Sequence, residues 1–286
     1  MPISRAARTT RTAISPRLAM RIFLSTNDNV GEVTRNNHPP NEVRLQIEGW
    51  QVTRLDSIGS TNDELARRLA TSDLPDRTVL VADVQTAGRG RLDRRWEAPA
   101  GENLLCSMLF RPPIAHPQHL QHAVALAIIA AAEQFDVGNV WVKWPNDVIV
   151  TEADTNQRAA YTKLAGMLST ITADGSLIIG TGVNINWAPA GATSFAAIAG
   201  HRLSTTDVLR AVLKSLHDLL SYTQNELTDR YRAHLSTIGR LVRVELPSAE
   251  VVTGRAVGVS PDGSLEVVDE CAISHRFQAG DVVHLR

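Results

Sequence analysis

Four short apolar runs crowd into the stretch between Val140 and Ile185, and no other feature narrows the possible folds of this chain as much. Val140-Trp144, Val148-Val150, Leu164-Thr172 and Leu177-Ile185 are separated by turn signals such as Asp174-Gly175. They predict successive strands of one antiparallel or mixed sheet. Gln51-Asp56, Thr78-Val84 and Asn103-Phe110 read as further strands of the same region. Helical spacing appears between them. Ser60 or Thr61 caps a helix carrying Leu65, Ala66, Leu69 and Ala70, and Gln118-Phe135 places Leu120, Ala123, Val124, Ala127, Ile128 and Ala131 on one face. Thr206-Leu235 reads as one long helix with Val208, Leu209, Val212, Leu213, Leu216, Leu219 and Leu220 facing inward. Beyond a boundary near Gly239, short β-rich runs alternate with turns at Pro261-Asp262-Gly263 and Ala279-Gly280-Asp281. That pattern predicts a small barrel. The fold class is α+β, with a larger domain over residues 46–237 and a barrel over 238–286.

Residues 1–45 form an expected extension, disordered for most of its length. It is poor in apolar periodicity, and its scattered arginines (Arg5, Arg8, Arg11, Arg17, Arg21) would also suit an organellar transit peptide. A tail or an overextended start is the preferred reading. Hydrophobic residues make up 43% of the chain and charged residues 21%, which excludes wholesale disorder. A formal net charge of -1 argues against general nucleic-acid binding, which needs an excess of Lys and Arg on at least one face. No apolar run is long enough to span a bilayer. Cys106 and Cys271 lie in apolar stretches without a paired-cysteine motif and read as buried thiols of a reducing cytoplasm.

The chemistry concentrates in four segments. Gly88-Arg89-Gly90-Arg91-Leu92-Asp93-Arg94-Arg95-Trp96 follows a strand. Its glycines admit a phosphate close to backbone N–H groups, its arginines offer permanent bidentate donors, and Trp96 offers a face for a flat ring. Lys143-Trp144-Pro145-Asn146-Asp147 sits between two strands, where Pro145 forbids regular structure and presents Lys143 and Asn146 at a bend. Lys163-Leu164-Ala165-Gly166 and Gly180-Thr181-Gly182-Val183-Asn184 put small residues in strands, which permits close approach of a ligand or of backbone. Singly, each segment also reads as ordinary architecture: an Arg-rich solvated loop, a bend, or sheet packing with a bulge.

Taken in order with Ser60-Thr61-Asn62 and Gln85-Thr86-Ala87, these segments resemble the biotin protein ligase family over about Ile47 to Arg286. The resemblance implies a catalytic domain related to class II aminoacyl-tRNA synthetases, followed by an SH3-like domain. It places Ser60, Thr61, Asn62, Gln85, Gly88, Arg89, Gly90, Arg91, Lys143 and Gly166 around biotin. Arg89, Arg91, Arg94, Trp96, Asn103, Lys143, Asn146, Lys163 and Asn184 then serve ATP or the adenylate, with Lys143, Arg91 and Arg89 as the catalytic set. ATP with Mg2+ and biotin are the implied ligands, and no dedicated metal-ligand set is expected. The implied partner is the biotin carboxyl carrier domain of an acyl-CoA carboxylase. A cytoplasmic protein that binds neither nucleic acid nor membrane completes the expectation, with a monomer preferred and a dimer as the alternative.

Two departures from the resemblance stand out. Asp93 occupies a loop position where many relatives have glycine, and Thr151-Tyr161 reads as a polar hairpin insertion. Ser25-Asp28 repeats Ser-Thr-Asn-Asp without an amphipathic helix behind it. His116, His119 and His122, three apart, read as a partly exposed helix entrance, and Trp50, Trp141 and Trp187 as packing residues. Rival readings are a lipoate protein ligase, a biotin-responsive repressor and a pure binding module. The repressor needs a DNA-reading domain, and residues 1–42 show no two-helix apolar pattern.

Overall fold

A computed structural model describes residues 42–91, 94–151, 161–246 and 248–285. The expectations for residues 1–41, for Asp93 and for most of the 151–161 insertion lie outside these residues. The ordered chain begins earlier than expected, because Glu42–Ile47 is already a strand, β1. It pairs antiparallel with β2 (Trp50–Ile58) across Glu48 and Gly49, both at positive φ.

The larger sheet has eight strands in the order β1-β2-β3-β4-β8-β7-β6-β5, where β3 is Thr78–Gln85, β4 Leu104–Phe110, β5 Val140–Lys143, β6 Asp147–Thr151, β7 Tyr161–Ile171 and β8 Leu177–Val183. Only β2 and β3 pair in parallel, the rest being antiparallel. The parallel pair needs a crossover, and α1 (Thr61–Thr71) supplies it. Ser60 caps α1 by accepting the Asp63 N–H at 3.4 Å, and Leu65 packs with Leu55, Leu80, Leu109 and Ile178. This cluster is the apolar half of one sheet face.

The other face carries α2 (Pro117–Gln134), α4 (Thr205–Leu219) and α5 (Gln224–Ala233), with the short α3 (Phe195–Ala199) nearby. Ala123, Val124, Ala125, Leu126, Ala127, Ile128, Ile129, Ala131 and Ala132 of α2 are all buried. A helix apolar on nearly every side is one enclosed on nearly every side, here between the sheet and the outer helices. The single helix expected over Thr206-Leu235 is two helices. The chain breaks after Leu219 and restarts at Thr223, whose hydroxyl accepts the Glu226 N–H while the Glu226 carboxylate accepts the Thr223 N–H. This capping box was readable as Thr-x-x-Glu, but the apolar spacing on either side masked it.

The C-terminal sheet orders its strands β12-β11-β10-β9-β13, with β9 Leu241–Glu245, β10 Val251–Val259, β11 Leu265–Asp269, β12 Ser274–Phe277 and β13 Asp281–His284, all antiparallel. Its inner residues Val242, Val244, Val259, Leu265, Val267 and Phe277 join the same apolar cluster as α2. Polar ties reinforce the joint: Trp144 Nε1 donates to Gly263 O at 3.0 Å, and Arg232 Nε to Val259 O at 3.0 Å.

Several packing expectations need correction. His119 and His122 are buried, not a partly exposed entrance. His119 Nε2 lies 2.9 Å from Pro261 O, and His122 stacks on Tyr231 at 3.6 Å. Of the three tryptophans assigned to packing, Trp50 is fully buried, whereas Trp141 lies on the edge strand β5 and is 36% exposed. Cys106 is buried, which pushes its thiol up to about 12, but Cys271 is exposed in the turn between β11 and β12. That turn is closed by Asp269, which accepts the N–H groups of Cys271 and Ile273, so no apolar environment forms around the thiol. Among the described residues, no helix is long and apolar enough to cross a membrane.

Candidate active site

Strand register aligns one row of residues across the larger sheet: Leu55, Ala82, Leu105, Gly182, Gly166, Asp147 and Lys143. Register partners share a face, so side chains shrink to nothing at the two glycines and become charged at the β5–β6 end. The result is a trough with an ionic end. A neighbouring row, Leu80, Ser107, Gly180 and Leu168, lies on the same face beneath the start of α1.

The α1 end of the trough is a hydrogen-bonded cluster. Thr61 donates its N–H to Gln85 Oε1 at 2.8 Å, and Thr61 Oγ1 lies 3.0 Å from the same oxygen. Ser107, fully buried, lies 2.7 Å from Thr61 Oγ1 and 2.5 Å from Asn62 Oδ1, while Asn62 Nδ2 donates to Leu168 O at 3.1 Å. A Cβ at Gly180 would overlap the Asn62 amide, so this glycine is the condition for Asn62 to sit there. Ser107 was not among the expected site residues. It sits in an apolar strand with no motif around it, and only the strand register brings it under Thr61.

The loop from Gln85 to Trp96 crosses the trough. Arg89 and Arg95 bridge, and Trp96 N–H donates to Gly88 O at 3.0 Å, which folds the loop back on itself. The Trp96 indole lies on Gly182 and Gly166, so that a Cβ at Gly182 would overlap it and one at Gly166 would come within 3.1 Å. Its Nε1 is buried and has no partner among the described residues. Gly88 is similarly committed, because a Cβ there would overlap Trp96 O.

The loop's arginines are held by carboxylates, an amide and a carbonyl. Arg89 pairs with Asp63 in the first turn of α1. Arg91 donates to Asn146 Oδ1 at 2.8 Å and to Gly280 O at 2.9 Å, and Arg94 pairs with Asp281 at 2.8 Å. The turn before β13 thus grips the loop from the C-terminal sheet. Burial lowers the Arg91 pKa against the pull of Asp281 and Asp147, yet a guanidinium stays charged at any physiological pH.

At the ionic end, Lys163 pairs with Asp147 at 2.7 Å and its Nζ lies 5.4 Å from the centre of the Trp96 ring. Asn146 Nδ2 donates to Met167 O at 2.8 Å, fixing the bend. Gln121 of α2 supports the same bend by donating to Pro145 O at 2.9 Å, a contribution that no motif announced. Lys143 is only 8% exposed, and burial lowers its pKa. Among the described residues, Asp147 and Asp281 oppose that shift, and Lys163 and Arg91 add to it. Two expected residues, Asn103 and Asn184, spend their amides on neighbouring chain, and Asn184 Nδ2 also lies 3.4 Å from Lys163 O. Asn103 Oδ1 accepts the Ile185 N–H at 3.0 Å, and its Nδ2 lies 3.3 Å from Asn184 Oδ1. Asn184 Nδ2 donates to Thr193 O at 3.0 Å. These buried amides brace the end of β8 and use their polar atoms on the protein itself.

Ser60, Thr61, Asn62, Gln85, Gly88, Arg91, Trp96, Lys143, Asn146, Lys163 and Gly166 therefore meet along one trough, which suits an elongated ligand with an anionic centre. A model of the "Biotin/lipoate A/B protein ligase family" matches residues 55–186, and one of the "Biotin protein ligase C terminal domain" matches residues 237–285. The biotin-(acetyl-CoA-carboxylase) ligase of Mycobacterium tuberculosis is 33% identical over 83% of this chain and 91% of its own length. The bifunctional ligase/repressor BirA of Bacillus subtilis is 27% identical over 78% of this chain and 71% of its own. The Aquifex aeolicus biotin protein ligase, solved with biotin and ATP, superposes with a TM-score of 0.69 at 27% identity, covering 82% of this chain and 98% of that one. The chain belongs to the biotin protein ligase family.

Proposed function

We propose that this protein joins biotin and ATP to give biotinyl-5'-AMP and pyrophosphate, then transfers biotin to a lysine of the carrier domain of an acyl-CoA carboxylase. The observation that carries the reading is the buried Lys143 ammonium at the end of a trough floored by Gly166 and Gly182. A carboxylate is a poor electrophile. Its oxygen attacks the α-phosphorus, pyrophosphate leaves, and the charge that builds on the phosphate needs preorganised cations. Lys143 faces the biotin carboxylate and α-phosphate in this reading. Arg89, Arg91 and Arg94 serve the phosphates after exchanging Asp63, Asn146 with Gly280, and Asp281 for them.

Thr61, Gln85 and the Ser107 cluster hold the neutral ring end of biotin, where donors and acceptors alternate. Trp96 occupies a slot of aromatic thickness over the two glycines, and the purine takes that slot when the loop reorders. The carrier amine then attacks the acyl carbon of the mixed anhydride and AMP departs. Asn103 and Asn184 act here as braces of β8 rather than as nucleotide contacts.

Magnesium enters with the nucleotide, since this ion keeps several waters and is held largely by phosphate oxygens. Among the described residues no cluster of three acidic, His or Cys side chains offers it a resident site, and no step is assigned to it. The larger domain takes in β1 from Glu42, and a division near residue 237 is supported by family matches over 55–186 and 237–285. Free thiols at Cys106 and Cys271 suit a cytoplasmic setting.

The test is biotin transfer to a purified carrier domain with Mg-ATP. Lys143→Ala should lower adenylate formation by about 10²–10³-fold, the range for loss of one preorganised donor. Arg91→Gly should release adenylate to unselected lysines, because it removes the guanidinium that holds the adenylate phosphate under the loop. A folded protein that transfers lipoate or octanoate and not biotin would overturn the substrate assignment.

A further inference from the structure

A buried ammonium is ordinarily held by a carboxylate, and Lys143 is not. Its cross-strand neighbour Asp147 is paired with Lys163, and among the described residues Lys143 Nζ has no hydrogen bond or ion pair. An aromatic ring faces it instead, that of Tyr161 at 5.8 Å. Tyr161 meets the His284 ring edge to face at 5.4 Å and 67°. His284 comes from β13, and its Nε2 lies 3.2 Å from Thr237 Oγ1, the hydroxyl oxygen that also accepts the Trp144 N–H at 3.1 Å. The wall is therefore anchored to the strand end that carries Lys143. His284 Nδ1 is buried without a partner among the described residues. Burial, then the charges of Lys143 and Arg240, hold its pKa down at about 4, so the imidazole is neutral at physiological pH.

We propose that Tyr161 and His284 are positioning residues for Lys143: a neutral aromatic wall that supports the ammonium without cancelling its charge, leaving that charge for the substrate carboxylate and phosphate. The inference rests on the role given to Lys143 above. A carboxylate in the place of the ring would hold the amine more firmly, but the ligand would have to displace it. A π face attracts the cation and has no charge to displace. Neither residue lies in a motif, since Tyr161 ends the polar insertion and His284 sits in the last strand.

The test is biotin-dependent exchange of pyrophosphate into ATP, followed against biotin concentration and pH, with a thermal melt for every variant. The charged and titratable groups around Lys143 are Asp147, Lys163, Tyr161, Arg91, Asp281 and His284, with Arg240 against His284. Tyr161→Leu keeps an apolar side chain beside the amine and removes the π face. It should raise the biotin KM by about tenfold, with a smaller change in kcat, the size of one lost desolvated cation–π contact. The alkaline limb of the profile should move to lower pH, because the π face that favours the charged amine is gone while the burial that lowers the Lys143 pKa remains. Tyr161→Phe should restore both. His284→Glu should raise KM more than His284→Gln, since only the former offers Lys143 a competing carboxylate.

A folded Tyr161→Leu with the wild-type KM and alkaline limb would overturn the proposal, as would equal effects of the two His284 variants. The His284 pair keeps the question open to refutation if Tyr161→Leu does not fold. Absence of exchange in the wild type would remove the biotin reading itself, and that outcome is distinct from wild-type exchange with insensitive variants.

Discussion

The two faces of the eight-stranded sheet show what the same strands can be made to do. On the helix-covered face, Cys106, Met108, Ile179 and Val183 interlock with α2, and α4 and α5 close over it. On the other face the equivalent row drops to Gly166 and Gly182, then ends in Asp147 and Lys143. One face achieves density and the other preserves a channel. Substitutions on the packed face should therefore cost stability and leave the chemistry intact, while those in the trough should do the reverse.

Four substitutions can break or sharpen this contrast. Ile128→Ala, in the middle of α2, should lose about 2–5 kcal/mol of unfolding free energy in a denaturant titration while KM for biotin stays near wild type. A comparable loss of KM would mean that the two faces are not independent. Gly182→Ala should do the opposite, since its methyl would fill the slot over β8 that the Trp96 indole holds and the purine takes. A kcat reduced by roughly 10²-fold with a nearly unchanged melt is expected for a nucleotide held out of line at the reacting centre.

His122 tests the packed face by pH. Burial pushes its pKa down to about 3, so the unfolded chain, near 6.5, binds the proton first. This contribution to stability is complete above pH 6.5 and is lost progressively as pH falls toward 3, by about 1.4 kcal/mol per pH unit. His122→Gln should flatten that part of the stability profile relative to the wild type, and parallel curves would refute the buried neutral imidazole. The smallest effect belongs to the α5 cap. Thr223→Ala should cost about 1 kcal/mol with no kinetic change, and a loss under a few tenths would show the capping box to be ornamental.

The sequence made the β-rich runs legible because alternation and turn residues are local properties. Strands between Trp50 and Val183 and those after Gly239 were placed to within a few residues. The break between α4 and α5 escaped because apolar spacing continues through Leu219 and Leu220, although Thr223 and Glu226 mark the restart. At the site, motif order pointed to the arginine loop, Lys143 and Lys163, but it also drew in Asn103 and Asn184, whose amides the structure uses internally. An asparagine next to a motif looks the same in sequence whether it faces a ligand or a carbonyl.

The chain by itself determined the α+β class, the order of the two sheets and the residue types able to hold an anion. Those follow from periodicity and spacing within a few tens of residues. Only the tertiary structure decided which of them meet. Arg91 finds Gly280 across 189 positions, Ser107 reaches Thr61 through strand register, and His284 reaches Tyr161 from the last strand. Such contacts arise when separate apolar faces close on a common core, and no local pattern encodes the partner that this closure brings near.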